Sequence, residues 1–292
     1  MAPVADEWVT LHRVGSDTAG PLDSTRTDAG GRFTFAFKAR GSRDAVYFMS
    51  ASYDGIAYLS PPLTRRDVRG AEAEITVYDT TSKPVALRVR GRHLVLAAPA
   101  ANGFRSVVEI FELSNDTSVT LVAPSSSTDR PTWSMTLPAG AQRFQVGQGD
   151  VAADAVTHRG DAVAVYAPFA PGLKQMSFSY VLPPSAFPLA RPLPTGAIVF
   201  EVLLEEPTAS VDAPRLRELQ PVAVEGRTFR RFLAQDVPPH AVATIRVPAV
   251  FADRRALYIA VVITVLGAAM LGALAVAFRR RPYGPGGAVR AA

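Results

Sequence analysis

The amino-acid sequence predicts a mainly β protein in which tandem β-sandwich domains are followed by one C-terminal transmembrane α-helix. Short apolar or alternating stretches recur about every ten residues and are separated by Pro, Gly, Asn and Asp, which is typical of β-sandwiches. No amphipathic helical pattern of about ten or more residues lies between them, so a parallel α/β fold is not expected. A long uncharged stretch near the C-terminus predicts the helix.

The C-terminal stretch 256–278 contains no charged residue and no proline. At a rise of about 1.5 Å per residue its 23 residues reach about 34 Å, enough to cross a hydrocarbon core of about 30 Å. The residues that flank it prefer water and lipid headgroups, and they are Arg254, Arg255, Arg279, Arg280 and Arg281. We therefore predict a membrane anchor over residues 254–281 and a short tail over residues 282–292.

One face of this predicted helix carries small residues at every fourth position: Ala260, Thr264, Ala268 and Gly272. Small residues allow a second helix to approach closely in lipid, so the stripe predicts packing against transmembrane helices of other subunits. The alternative is that alanine is simply common in this composition.

Most of the positive charge lies around the anchor. The chain carries a formal net charge of +5, but residues 1–253 carry −1, because six arginines and no acidic residue lie beyond position 253. A nucleic-acid binder would concentrate positive charge on its folded domain, so that class is excluded. The absence of cysteine excludes disulfides, thiolate metal ligands and cysteine nucleophiles.

The basic tail also predicts the orientation of the chain. Short positive segments stay on the cytoplasmic side, which would place the large N-terminal part in the periplasm of a bacterial inner membrane. The first residues lack the apolar core of a signal peptide. A signal missing upstream and a tail-anchored protein with a cytosolic domain both stay open as explanations.

The first quarter of the sequence predicts a small β-domain. Alternating residues predict strands at 8–14, 32–37, 45–53 and 56–59, and Asp28 to Gly31 supply the turn before the second of these. Residues 15–25 are rich in turn-forming types and are expected to form a loop.

Residues 5–70 resemble a carboxypeptidase regulatory-like domain, a transthyretin-like β-sandwich. The resemblance is carried by TLHRV at 10–14, STRTDAGGRFTF at 24–35 and AVYFMSASYDGIAYLSPPL at 45–63. It implies a domain over residues 1–70 with a structural or ligand-presenting role and no peptidase residues. Such domains usually begin with one more strand, so the resemblance suggests that a strand upstream is missing.

Residues 71–250 predict a second β-sandwich region without a recognisable motif. Strand-like stretches begin at 75, 85, 105, 118, 132, 142, 161, 173, 196, 225 and 241. The segment 187–194, FPLARPLP, is interpreted either as a stiff connector that divides the region near 183–195 or as a long loop within one domain.

No catalytic or metal-binding pattern is recognised. Four histidines, His12, His93, His158 and His240, lack partners at metal-ligand spacing. Asp150 and Asp154 are expected to cap turns rather than bind calcium. Glu205 and Glu206 are adjacent, which predicts opposite faces of a solvated strand end rather than a catalytic pair.

Two further patterns have a simple structural interpretation. Asn115 to Thr117 fits a glycosylation acceptor by pattern alone. Aromatic residues alternate with polar ones, so we expect a buried core rather than a sugar-binding stripe. These aromatics are Tyr47, Tyr53, Tyr58, Phe178 and Tyr180.

These features predict a non-catalytic, membrane-anchored accessory subunit of a multisubunit membrane complex. The whole chain loosely resembles the accessory S-type subunits of bacterial photosynthetic reaction centre–light-harvesting complexes, which implies a stabilising role on the periplasmic side. We predict no directly bound cofactor and no metal, and any pigments would belong to neighbouring subunits. The alternative is a free-standing envelope module that binds glycan or peptide.

Overall fold

The computed structural model describes residues 2–63, 69–124, 130–224 and 226–248, and confirms a mainly β chain with several sheets. These residues belong to two compact units. Unit 1 comprises Met1–Val85, Asn115–Thr132 and Pro168–Pro171, and unit 2 comprises Ala86–Ser114, Trp133–Ala167 and Gly172–Ala292.

The regular elements are short strands and three single-turn 3-10 helices. In chain order the strands are β1 (Trp8–Val14), β2 (Ala19–Arg26), β3 (Val46–Tyr53), β4 (Ile56–Leu59), β5 (Thr80–Thr81), β6 (Arg88–Leu96), β7 (Arg105–Asn115), β8 (Thr120–Leu121), β9 (Trp133–Thr136), β10 (Gln142–Val146), β11 (Val156–Arg159), β12 (Ala162–Val165), β13 (Gly172–Leu182), β14 (Leu189–Leu193), β15 (Ala197–Leu204), β16 (Ser210–Asp212), β17 (Arg217–Val224), β18 (Arg227–Val237) and β19 (Ala241–Arg246). The 3-10 turns are Gly70–Glu72, Ala153–Ala155 and Pro184–Ala186.

Unit 1 is built on a four-stranded antiparallel sheet with the order β2-β1-β3-β4. Val9 and Leu11 of β1 lie opposite Ala51 and Met49 of β3, and all four side chains are buried. Because residues two apart in a strand point to the same side, these four form one apolar face of the sheet.

Two segments outside the sheet cover this face. Phe33 and Phe35 pack against it from one segment, and Ile75 and Val77 pack against it from another. Neither segment is a hydrogen-bonded strand. Alternate side chains are half-buried in the first segment, and consecutive residues 75–78 are half-buried in the second, although no ladder forms.

This arrangement corrects two expectations for unit 1. The predicted strand over residues 32–37 has half-buried Phe33 and Phe35 but an exposed Phe37, and it has no partner strand among the described residues. Residues 15–25 were expected to form a loop, yet most of them belong to β2. Pro21 is tolerated there because β2 is an edge strand and Pro21 lies beside a bulge at Leu22 of β2.

Unit 2 is built on a seven-stranded sheet with the order β10-β13-β7-β6-β15-β18-β17. Strands β6 and β15 are parallel neighbours at its centre. Two three-stranded sheets, β11-β12-β9 and β14-β19-β16, complete the unit.

Both small sheets contact the same face of the large one. Trp133 of β9 packs edge-on to Phe111 of β7, with ring centroids 4.9 Å apart, and stacks with Phe178 of β13. Arg191 of β14 contacts Glu109 of β7. Since Glu109 and Phe111 are two residues apart in one strand, β9 and β14 cover one face, and the core of unit 2 lies between the layers.

The segment 187–194 is not the connector that its prolines suggested. Leu189, Arg191 and Leu193 are buried at alternate positions of β14, which pairs with β19. Pro192 is tolerated here because β14 is the edge strand of its sheet, where a missing backbone N–H need not break the ladder. The sequence pattern also did not predict strand β17.

No helix among the described residues is long and apolar enough to cross a membrane. The predicted anchor over 254–281, with its flanking arginines and the small-residue stripe, lies outside the described residues.

Candidate functional site

A groove opens on unit 1 between the two segments that cover its sheet. It has a volume of about 970 Å³, and we call it the acidic groove. Buried Val9 and Ala51 of the sheet lie at its floor, and Phe33, Val77 and the N-terminal segment 2–5 also line it. Its lining residues are Ala2, Pro3, Val4, Ala5, Glu7, Val9, Thr27, Gly31, Phe33, Ala51, Tyr53, Glu74, Ile75, Thr76, Val77, Tyr78, Asp79 and Ser118.

The charge of the acidic groove has one sign. Three carboxylates, those of Glu7, Glu74 and Asp79, line it, and no Lys, Arg or His is among the described lining residues. Glu74 and Asp79 are exposed at the rim. The groove therefore combines an apolar floor with negative potential.

Two tyrosines fix the wall around residues 78–79. The Tyr53 hydroxyl donates a 3.0 Å hydrogen bond to Asp79, and this bond raises the pKa of Tyr53. The Tyr58 hydroxyl donates to the carbonyl of Tyr78 at 2.9 Å and lies 2.7 Å from the Thr120 hydroxyl. The wall is thus held by side chains at this end of the groove.

A buried charge cluster lies in unit 2. The fully buried carboxylate of Glu109 is 2.6 Å from Arg191 Nη2 and 2.7 Å from Arg92 Nη2, and the Tyr180 hydroxyl donates to it. Arg92 also donates to the carbonyl of Pro192 at 2.7 Å. The cluster joins β6, β7, β13 and β14.

Burial and the neighbouring charges shift the pKa of Glu109 in opposite directions. Burial alone raises the pKa of Glu109, but the charges of Arg191 and Arg92 and the hydrogen bond from Tyr180 overcome it and lower that pKa to about 2. Burial, followed by the nearby Glu109 charge, raises the pKa of Tyr180 well above its ordinary value. Glu109 therefore stays ionised as a buried counter-ion.

A second polar cluster lies on the other face of the large sheet. His93 Nδ1 is 2.7 Å from Glu201, and Arg231 Nε is 2.6 Å from the other oxygen of the same carboxylate. Burial raises the pKa of Glu201, but the hydrogen bond and charge of His93, with those of Arg231, produce a net lowering. Glu112 is near His93 at 3.9 Å.

The other histidines are dispersed as the sequence suggested. His12 stacks on Phe48 and is 2.8 Å from the Ser50 hydroxyl, His158 lies against Phe144, and His240 occupies a turn with a positive φ of 63°. Within the described ranges, no group of three His, Cys, Asp or Glu side chains is placed to hold a metal ion.

The carboxylates singled out from the sequence have structural partners. Asp150 accepts a 2.7 Å hydrogen bond from the backbone of Gln175 in β13, and Asp154 lies in a 3-10 turn. Glu205 and Glu206 were expected at a solvated strand end, and that expectation is wrong. Their side chains are only 16% and 14% exposed.

Arginines account for the burial of these two glutamates. Arg227 Nε donates to Glu205 at 2.7 Å, and Glu205 also accepts from the backbone of Ala98. Arg105 Nη2 lies 2.8 Å from Glu206. Each glutamate thus has its own cation, which does not resemble a shared catalytic pair.

Asn115 is 2% exposed, and its amide donates to the carbonyls of Val119 and Phe169, each at 2.8 Å. The acceptor asparagine is therefore buried, although Asp116 and Thr117 beside it are exposed. The expectation of buried aromatics is confirmed for Tyr47, Tyr58, Phe178 and Tyr180, while Tyr53 is half-buried beside the acidic groove.

Sequence reasoning missed both the buried cluster and the groove. A signal for the first was present, since Glu109 is the one charged residue in the apolar run VVEIF and alternates with Val107 and Phe111. The groove had no such signal because its walls come from segments about forty residues apart.

Comparison with known proteins gives little further information. No protein-family model matches the chain, and no curated protein matches it. Two structures of leukotriene A4 hydrolase from yeast align with 12% and 11% identity over 57% and 56% of this chain, each with a TM-score of 0.34. The chain covers 31% and 29% of those proteins, and this similarity carries no inference.

Proposed function

We propose that this chain is a non-catalytic, membrane-anchored accessory subunit of a multisubunit membrane complex. Its tandem β-sandwich domains would lie on the periplasmic side of a bacterial inner membrane, and its C-terminal tail in the cytoplasm. The observation that carries the proposal is the uncharged stretch 256–278 with arginines at both ends.

The charged clusters of unit 2 support a structural role. Glu109 is fully buried and neutralised by two arginines, and Glu205 and Glu206 each have an arginine partner. Each of these carboxylates is already paired with arginine, an arrangement that fits a structural role. A framework of this kind suits a subunit that acts by contact.

The partners are proposed to be transmembrane helices of other subunits. The stripe Ala260, Thr264, Ala268 and Gly272 would allow one such helix to pack closely. The resemblance to accessory subunits of photosynthetic reaction centres suggests an assembly with light-harvesting polypeptides, in which any pigment would be held by neighbours. The acidic groove favours the alternative of a peptide-binding envelope module, and both roles are compatible with one anchored chain.

Membrane extraction tests the anchor. The full-length chain should stay in the membrane pellet after an alkaline carbonate wash, and protease added to spheroplasts should cleave its β-domains. The same chain with Leu266→Arg and Met270→Arg should be released, because charges at the centre of a span are costly. Release of the unmodified chain by carbonate would overturn the proposal.

A further inference from the structure

The acidic groove has the features of a strand-binding site. We propose that it binds an extended polypeptide strand of another protein, with apolar side chains at alternate positions and Lys or Arg at the flanks. This inference rests on the proposed function to the extent that it assumes the chain acts by contact with other polypeptides.

The backbone of the two segments that cover the sheet lacks hydrogen-bond partners. Residues 33–37 and 75–77 make no backbone hydrogen bond to any other residue that the structure describes, although Phe33, Phe35, Ile75 and Val77 are half-buried. Their peptide N–H and C=O groups therefore have no partner among the described residues, and an added strand would pair with them. Of these residues, Phe33 and residues 75–77 line the acidic groove, and such a strand would lie there.

The floor of the acidic groove is apolar. Val9 and Ala51 are only 1% and 6% exposed, and Phe33 and Tyr53 lie beside them in the groove. Because side chains of a strand alternate between its two sides, a bound strand would place every second side chain on this floor. Apolar residues at alternate positions are therefore favoured.

The acidic groove carries negative charge. Glu7, Glu74 and Asp79 give the groove three carboxylates with no described basic residue among its lining. Lys or Arg on the ligand would be attracted, and acidic flanks would be repelled.

The exposed edges of unit 1 itself do not fit this description. Strand β2 reads AGPLDSTR and lacks alternating apolar residues, and β4 is only four residues long and carries no base. A second copy of unit 1 is therefore not the occupant we propose.

The test uses the full-length chain in mild detergent with a fluorescein-labelled peptide of sequence Lys-Val-Thr-Val-Thr-Val-Lys. We expect saturable binding, and at least tenfold weaker binding when glutamate replaces both lysines. Hydrogen exchange at residues 33–37 and 75–77 should slow when the lysine peptide binds. Equal affinity for the two peptides, or no saturable binding, would overturn the proposal.

A pair of variants separates the groove from general surface charge. Glu74→Lys should weaken binding of the lysine peptide at least fivefold, while Asp23→Lys, the same charge change on exposed β2, should leave it unchanged. Slow exchange at both segments before any peptide is added would show that the chain or a second copy already fills the groove, which also overturns the proposal. These readouts need no membrane partner, so their failure is distinguishable from failure of the anchor.

Discussion

Arg191 Nη2 lies 2.6 Å from Glu109 Oε1, and the carboxylate that accepts this contact has no exposed surface. Arg92 contacts the other oxygen of the same carboxylate at 2.7 Å. One buried negative charge is therefore shared by two nearly buried positive charges, and the three groups come from three different strands. The stability of unit 2 should depend on this carboxylate more than on any surface ion pair.

Glu109→Gln should lower the free energy of unfolding by about 3–5 kcal/mol, because Arg92 and Arg191 would remain buried without a counter-ion. Denaturant unfolding of the full-length chain in mild detergent measures this. The matched control is Glu218→Gln, which removes an exposed partner of Arg230 and should cost less than about 1 kcal/mol. Equal losses in the two variants would contradict the role given to Glu109.

Acid should weaken the same cluster over a defined pH range. The folded-state pKa of Glu109 is lowered to about 2 from an ordinary value of 4.5, so its stabilisation is fully present above pH 4.5 and is lost as the pH falls towards about 2. The shift corresponds to about 3 kcal/mol. Unfolding free energies of the native chain and Glu109→Gln should therefore converge below pH 4.5. A difference that is independent of pH would refute this explanation.

The sequence predicts the strands of this chain better than it predicts their partners. Alternation locates β1, β3 and β4, because a strand with one buried face has apolar residues at every second position. Alternation does not predict which segments find a hydrogen-bonded partner. Residues 32–37 have no partner strand among the described residues, whereas β2 and β14 pair although they contain prolines.

The candidate sites show the same limit. The burial of Glu109 follows from its position between apolar neighbours, but its two arginines come from β6 and β14, and only the fold brings them together. The burial of Glu205 and Glu206 also depends on arginines distant in sequence, which is why a solvated strand end was the wrong expectation.

Asn115 should remain unmodified in a host that attaches glycans to asparagine, because its amide is buried and donates to two carbonyls. Mass spectrometry of the exported chain checks this. Asp23→Asn provides the positive control, since it creates an acceptor triplet with Ser24 and Thr25 on the exposed strand β2. A glycan on Asn115 would show that this turn opens.

Leucine in the small-residue stripe should weaken assembly. Ala268→Leu combined with Gly272→Leu would hold a neighbouring helix further away, so co-purification of partner subunits should fall at least severalfold. The control is Val262→Leu combined with Met270→Leu, which changes the opposite face of the predicted helix and should have no effect. Loss of partners in both variants would indicate a general defect in the anchor.

The central proposal is that this chain works as part of a membrane assembly. Purification of the full-length chain in mild detergent, with size and stoichiometry measured by native mass spectrometry, tests this directly. We predict a larger complex that contains other membrane polypeptides in fixed ratios. A monodisperse single chain, free of partners under conditions that preserve other membrane complexes of the same cells, would contradict it.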